Sequence, residues 1–541
     1  MTATAFGPGT APTRDQPIHA YVAEHARERP DHDAIIFGDT AISYATLEHQ
    51  AIQLAAYLAE RGIGKGDTVA LFMQNSPQFI VSFLAIQRLG AVVGPCNPMF
   101  KEWELGYQLQ DLGATVLITF DELVEVFRHV EKSDVHTVVC ASFSDVVTDP
   151  TTIPVDASAA VVRDSGAAET VRFADIVAGH RPEPAPVEID MVNDPSLVIY
   201  TSGTTGKPKG AMLSYRNAEF KTACLVGTYG FSQDDVFCSV MPIFHIAGMV
   251  VGLTSPLMVG ATIVLEARFD ADIMVKDVAR TRTTVLYLTP PIALELLEAN
   301  ADLPASLHDV RLTLGTSFGR QITRELSDRW QDVAGVPFFE WAYGMSETHT
   351  GDTLMPPEAV RYGAHGKPTF ETELRIVDRE DSSRDLPAGE VGEILVRSPS
   401  VFLGYRGRPE ATAEVLINGW YHTGDLGRVD NEGYLHFDGR SKEMIKSSGY
   451  SVFPEEVEGM LVRHDDVVQA AVVGFADPKR GESVRAFVVV RDGAQVTEED
   501  IVMWSRERMA AYKYPRDVRF IDALPHTTTG KLQRTKLRQM P

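Results

Sequence analysis

The stretch Tyr200 to Gly210, Tyr-Thr-Ser-Gly-Thr-Thr-Gly-Lys-Pro-Lys-Gly, packs hydroxyls, glycines and two lysines together. Glycine lets backbone N–H groups come close to anionic oxygens, hydroxyls add donors, and lysine adds charge. That chemistry suits a flexible grip on a polyphosphate. It is not a Walker A loop, which needs Gly-x4-Gly-Lys-Ser/Thr. Counting back from Gly206-Lys207 puts Thr201 where the first glycine belongs, and Pro208 follows the lysine. Read alone, such a composition also describes a solvated turn.

Other chemical groups recur along the chain. His245 lies in Met241-Pro242-Ile243-Phe244-His245-Ile246-Ala247-Gly248, and Gly315-Thr316-Ser317-Phe318-Gly319 follows an apolar run. Glu347 lies in Trp341-Ala342-Tyr343-Gly344-Met345-Ser346-Glu347-Thr348, and Asp425 ends Gly419-Trp420-Tyr421-His422-Thr423-Gly424-Asp425. Then come Gly439-Arg440-Ser441-Lys442, Lys446-Ser447-Ser448-Gly449-Tyr450 and Pro525-His526-Thr527-Thr528-Thr529-Gly530-Lys531. Singly, each has an ordinary reading: a core histidine, a turn, a helix cap, a basic tail. In this order they resemble the motifs of the adenylate-forming superfamily, which includes acyl-CoA synthetases, luciferases and peptide-synthetase adenylation domains. The resemblance covers most of the chain from about Thr68 onward, and the ordered combination carries the specificity.

The resemblance implies roles residue by residue. ATP or AMP would be held by Thr201, Ser202, Gly203, Thr204, Thr205, Gly206 and Lys207, by Gly315, Thr316 and Ser317, and by Trp341 through Ser346, with Tyr343 near adenine. Asp425 and Arg440 would take the ribose; an ionised carboxylate accepts hydrogen bonds at both oxygens. Mg2+ would use Glu347 and Thr204, since one or two protein ligands plus phosphate oxygens suffice for it. Lys531 would stabilise charge during adenylation, and Lys446 and His245 complete the catalytic set, His245 as a gate beside the substrate carboxylate. Lys446, Ser448, Gly449 and Tyr450 would face coenzyme A, and Lys442 would be a hinge. Two departures from the family pattern stand out. Ser346 replaces the usual threonine but keeps the hydroxyl, and Gly315–Gly319 differs from the commoner Gly-Gly-Ala/Glu form.

These groups must be carried by a scaffold. Apolar helices at Ile18–Arg29, Tyr44–Arg61, Ser76–Leu89 and Trp103–Leu112 alternate with short β-branched runs at Ala34–Phe37, Thr68–Phe72, Ala91–Pro95 and Thr115–Thr119. That alternation predicts layered α/β sheets, largely parallel. Cys140 to Asp190 is rich in Asp, Ala, Pro and Ser and reads as a surface excursion. From Glu373 short strands separated by turns indicate a small β-rich subdomain. Beyond Arg440 the texture becomes α+β. The expected division is a disordered tail over 1–16, a large adenylation domain over 17–438, a hinge at 439–442 and a mobile small domain over 443–541.

A chain of 541 residues exceeds one ordinary core. Its net charge of −24 argues against nucleic-acid binding and against an anionic membrane as a constitutive partner. The four cysteines form no Cys-x-x-Cys pair and fit reduced thiols in a cytoplasmic protein. Met1–Gln16 lacks the form of a secretory signal, and Arg538–Pro541 carries no peroxisomal or lipidation signal. Ser239–Leu265 has no Asp, Glu, Lys or Arg, but its prolines and glycines make a buried helix, a turn and a strand the better reading than a membrane span.

Together these readings lead to an AMP-forming acyl-CoA ligase. The candidate acyl pocket, His245, Met249, Val250, Leu253, Phe318, Met345 and Thr350 beside Trp341, is mainly apolar and offers no cation for a second carboxylate. Medium- or long-chain fatty acids are the first expectation and cinnamate- or benzoate-like acids the second. Free CoA is the expected thiol. The alternatives are an acyl-AMP ligase loading a separate carrier protein and, from another class, a non-catalytic nucleotide-binding regulator. A homodimer, and a lysine acetyltransferase acting on Lys531, are further partner expectations.

Overall fold

The computed structural model describes residues 11–155, 166, 168–201, 208–299, 303–317, 321–440, 443–447, 450–452, 454–477, 481–509, 513–527 and 532–540. Within these residues a large domain of stacked sheets carries a smaller C-terminal domain.

The first large sheet has eight strands among the described residues, ordered Gly404–Tyr405, Lys209–Ser214, Pro195–Thr201, Val92–Cys96, Thr68–Phe72, Val116–Phe120, Thr137–Ala141 and Glu169–Arg172. The central strands are buried at every position and parallel. Continuous apolar runs are what a sheet covered on both faces requires. The helix Pro77–Arg88 is almost wholly buried; Ser76 caps it by accepting from the Phe79 N–H, and Pro77 opens its first turn. The antiparallel pairs are Pro195–Thr201 with Lys209–Ser214, where Tyr200 stands opposite Gly210 and Thr201 opposite Lys209, and Lys209–Ser214 with Gly404–Tyr405. The two ends of the polyphosphate-binding candidate, Thr201 and Lys209, are therefore held by paired strands inside the sheet.

The second sheet has seven strands among the described residues, six of them a parallel run ordered Phe338–Glu340, Leu312–Gly315, Val285–Leu288, Val236–Ser239, Thr262–Leu265 and Asp33–Phe37, with Thr40–Ser43 antiparallel at the far side. Gly315 and Glu340 sit at the carboxyl ends of neighbouring strands, where open α/β sheets bind ligands. A smaller antiparallel sheet of Glu373–Val377, Gly392–Arg397, Trp420–Val429 and Leu435–Arg440 sets Asp425 opposite Arg440. In the small domain Val467–Asp477 and Gly481–Val490 form a long hairpin, with Asp517–Phe520 parallel to the second strand.

Two local expectations are corrected. Ala11–Gln16 is not a loose lead-in: Ala11 is buried, and the Arg14 and Gln16 N–H groups donate to Glu219 Oε1 at 2.7 and 3.2 Å. Residues 1–10 lie outside the described residues. The excursion after Cys140 also returns to the sheet, since Glu169–Arg172 pairs in parallel with Thr137–Ala141 and is followed by the helix Phe173–Val177. Its polar composition suits an edge strand, exposed on one side. Within Ser239–Leu265 the structure has Ile246–Met249, a wide π turn over Val250–Thr254, Ser255–Val259 and then the strand Thr262–Leu265. No helix among the described residues is long and apolar enough to cross a membrane.

Candidate active site

One cleft of about 1380 Å³ collects the chemistry. That exceeds the few hundred to a thousand cubic ångströms usual for one small ligand, so two ligands fit side by side. Thr201, Pro208 and Lys209, the ends of the phosphate-loop candidate, line it. So do His245, Thr316, Trp341, Ala342, Gly344, Met345, Ser346, Glu347, Thr350 and Asp425.

The segment around Glu347 is shaped by close approach. A Cβ at Gly344 would lie 2.4 Å from the Gly351 nitrogen, so only glycine fits there. His349, Thr350 and Gly351 follow with φ of 58°, 56° and 60°. Two consecutive non-glycine residues in the left-handed region are costly and need outside support. Lys221 supplies it from the helix Tyr215–Tyr229: its ammonium, fully buried, donates to Gly351 O and to Asp352 Oδ1, each at 3.1 Å. Thr348 donates to the other Asp352 oxygen. Glu347 itself, 8% exposed, accepts from Tyr405 Oη at 2.8 Å.

The floor beneath Thr316 is equally defined. Trp341 Nε1 donates to Thr316 Oγ1 at 3.0 Å, and Tyr287 Oη lies 2.8 Å from the same atom. The Ser317 N–H donates to Glu340 Oε2 at 2.8 Å, while burial pushes the Glu340 carboxyl up to about 7. On the ribose side Tyr343 Oη donates to Asp425 Oδ2 at 2.9 Å. Burial, and then the Asp425 charge, hold the Tyr343 phenol far above its ordinary range.

Several expected residues stand elsewhere. Tyr343 packs on Phe437 and opens to a second, smaller pocket of about 280 Å³ shared with Asp425, Glu443, Glu455 and Arg534. Gly315 and Ser317 support the cleft without lining it. Met249, Val250 and Leu253 are entirely buried in the main core and do not line the cleft either. A Cβ at Gly252 would lie 2.0 Å from Ser239 Oγ, so the helix that carries these residues is pressed onto the neighbouring strand. Ser202, Gly203, Thr204, Thr205, Gly206, Lys207, Phe318, Lys442, Ser448, Gly449 and Lys531 lie outside the described residues, and only the backbone is described for Arg440, Lys446 and Tyr450. The flanks of residue 531 are informative: Thr527 and Gln533 both line the cleft. Arg534 anchors this end through Glu455 and Glu458, at 3.0 and 2.8 Å.

Motif reading missed Tyr405, Lys221, Asp352, Tyr287 and Glu340. A lysine just before the apolar run Ala223-Cys224-Leu225-Val226 is a visible signal for a buried pair. Tyr405 has none, because only sheet pairing brings it to Glu347.

A large α/β domain with a wide cleft, and a small domain whose Thr527 and Gln533 reach the lining of that cleft, are the frame of an adenylate-forming enzyme. Residues 22–406 match the AMP-binding enzyme family and residues 456–531 match the AMP-binding enzyme C-terminal domain. The chain belongs to that family. It is 33% identical over 528 residues to a feruloyl-CoA synthase of an Amycolatopsis species, covering 97% of this chain and 99% of the relative. It is 31% identical over 541 residues to a long-chain-fatty-acid–CoA ligase of Bacillus subtilis, covering 98% and 95%. An O-succinylbenzoate coenzyme A synthetase from Bacillus subtilis, solved with ATP and magnesium ion, superposes with a TM-score of 0.80 at 27% identity, covering 96% of this chain and 99% of that one. The chain is an AMP-forming acid–CoA ligase.

Proposed function

We propose that this ligase activates a compact monocarboxylic acid with an apolar body, aryl acids ahead of long fatty chains, and transfers the acyl group to free coenzyme A. The observation that carries the reading is the apolar part of the cleft lining. Phe244, Ile246, Ala247, Trp341 and Met345 make it, whereas Met249, Val250 and Leu253 are buried in the core and add nothing to its length. Among the described residues the cations lining the cleft are Lys209, at the end of the phosphate loop, and Arg379, against Met444 of the small domain. Neither serves a second carboxylate in the acyl lobe.

In the first half-reaction an oxygen of the substrate carboxylate attacks the α-phosphorus of ATP, and the bond to pyrophosphate breaks. The protein has little covalent work to do; positioning and charge stabilisation dominate. Thr201 and Lys209 hold the ends of the phosphate loop, Asp425 takes the ribose hydroxyls, and Lys531 faces the developing charge. The donors fit Mg2+: the Glu347 carboxylate lines the cleft together with Thr201 and Lys209 at the ends of the phosphate loop, and one or two protein ligands plus phosphate oxygens suffice for this ion. Glu347, with the Thr204 hydroxyl, would hold the ion, which when bound neutralises phosphate charge. In the second half-reaction the CoA thiolate attacks the acyl carbon and AMP leaves. Rotation of the small domain about Lys442, at the 439–442 hinge, would exchange Lys531 for Lys446, Ser448, Gly449 and Tyr450, the hinge motion that separates two chemistries at one site.

The experiment is pyrophosphate release with Mg-ATP and a graded panel of benzoates, cinnamates and C4 to C16 fatty acids, with and without CoA, products being identified by mass. Aryl-CoA formation with little turnover of the longest chains is the expected outcome. Efficient turnover of C12 to C16 acids would overturn the compact-lobe reading. Acyl-AMP that accumulates despite CoA would move the acceptor to a carrier protein.

A further inference from the structure

Tyr405 sits where the two charged parts of the cleft meet. Its hydroxyl donates to Glu347 Oε1 at 2.8 Å, and Lys209 Nζ lies 4.9 Å from its ring centroid. The backbone builds this placement. Gly404–Tyr405 pairs antiparallel to Lys209–Ser214, with Tyr405 opposite Ala211, so the residue is registered to the strand that leaves the phosphate loop. The same segment grips Glu347 a second time, the Phe402 N–H donating to Glu347 O at 2.8 Å. The ring is held edge-on by Phe402 at 4.8 Å and is 7% exposed.

We propose that Tyr405 is a positioning residue: it fixes the Glu347 carboxylate for the metal–nucleotide complex and ties that carboxylate to the phosphate loop through Lys209. This rests on Glu347 being the metal-binding carboxylate. With Oε1 held by the tyrosine, the carboxylate is confined to one orientation in the cleft. A hydrogen bond to a charged group is strong enough to select one rotamer. The ring face meanwhile attracts the Lys209 ammonium. The Lys209 cation and the Glu347 carboxylate thus meet on one aromatic residue.

The test uses the full-length enzyme with α,β-methylene-ATP and Mn2+ as the probe, free Mn2+ being read by electron paramagnetic resonance. Tyr405→Phe keeps the ring and loses the hydroxyl; Tyr405→Leu loses both. Tyr405→Phe should weaken Mn2+ binding about tenfold, the effect of roughly 1.4 kcal/mol, with metal-free nucleotide affinity and the unfolding midpoint unchanged. Tyr405→Leu should also weaken metal-free nucleotide binding. Glu347→Gln should lower Mn2+ affinity at least as far, and adding Tyr405→Phe to it should cost nothing more. The proposal fails if Tyr405→Phe binds Mn2+ like the parent, or if it loses metal-free nucleotide affinity and thermal stability in parallel, as a merely structural residue would. Unchanged Mn2+ affinity in Glu347→Gln would instead overturn the Glu347 assignment, and with it this proposal. An enzyme that binds Mn2+ as expected but releases no pyrophosphate with any acid would refute the substrate reading and leave the role of Tyr405 standing.

Discussion

The two walls of the cleft are built by different physics. On the phosphate wall each polar side chain is held by a partner from a remote segment: Glu347 by Tyr405, Asp425 by Tyr343, the 349–351 turn by Lys221. On the acyl wall Phe244, Ile246, Trp341 and Met345 are held mainly by packing. Hydrogen bonds fix direction and charge, whereas packing fixes volume. The phosphate wall therefore sets which reaction runs, and the acyl wall sets which acid enters it. Substitutions on the first should change rate for all acids alike, and substitutions on the second should reorder the acids.

The largest effect is expected where the walls join. Lys221 and Asp352 are both fully buried, and removing one partner of such a pair costs about 3–5 kcal/mol because the other charge is stranded. Lys221→Met should lower the thermal midpoint more than substitution of Lys531, Trp341 or Glu340, and should impair adenylation of every acid. Lys221→Met with Asp352→Leu should recover much of the stability, because an apolar pair of similar volume strands no charge. A double variant no more stable than the single one would show that the two residues do not act as a pair.

Lys531→Ala tests the lysine proposed to stabilise charge during adenylation. Removing one preorganised stabiliser of transition-state charge costs about a hundredfold to a thousandfold. Acyl-AMP formation should fall by that order, while thioester formation from supplied acyl-AMP survives. Equal loss in both half-reactions would mean that the small domain does not divide the labour. Acetylated Lys531, uncharged, should behave like the alanine variant in the first half-reaction.

The legibility of the two walls in the sequence differs for the same physical reason. The α/β scaffold, the Gly- and Thr-rich stretch 200–210 and the polar residues of the phosphate wall announce themselves by residue type and spacing, because charge and hydroxyl chemistry leaves few substitutes. Asp425 opposite Arg440 and Glu347 on the cleft follow from motifs that keep their order. Tyr405 and Asp352 do not, since their meaning arises only when strands and turns far apart in the chain are brought together. The acyl wall is less legible still. Met249, Val250 and Leu253 have the composition of a pocket and the burial of a core, and composition cannot separate the two. What decides is Gly252 against Ser239, a backbone approach that closes the space a chain would need.

Trp341 tests the acyl wall directly. It is 1% exposed, its indole N–H is engaged by Thr316, and Tyr287 meets it edge-on at 6.0 Å. Trp341→Phe keeps an aromatic body but frees volume at the end of the lobe. Differences of a methylene or a few in such a pocket are worth about 1–3 kcal/mol. The ratio of kcat/KM for a bulkier acid to that for a smaller one should therefore rise about tenfold, with pyrophosphate release on the preferred acid largely retained. An unchanged acid order with a uniform fall in rate would assign Trp341 to the nucleotide side and blur the division between the walls.

The smallest effect belongs beneath the nucleotide side, at Glu340. Burial raises its carboxyl to about 7 in the folded chain, against an ordinary value near 4.5, while the Ser317 N–H partly opposes the shift. The folded state then keeps a proton that the unfolded chain releases near 4.5. Unfolding gives up that proton between the two values, so this carboxyl favours the folded state most below about 4.5, and its contribution is lost as pH rises toward 7. Glu340→Gln removes the titration and keeps an oxygen that can accept from Ser317. The thermal midpoint of the variant relative to the parent should therefore climb from pH 5 and level off above about pH 7, by no more than a few degrees in a chain of this size. A difference between the two that does not vary with pH would show that Glu340 stays ionised in the folded protein. The 315–317 turn would then rest on a buried charge, and the nucleotide side of the cleft would be held by Coulomb attraction from beneath as well as by the hydrogen bonds across it.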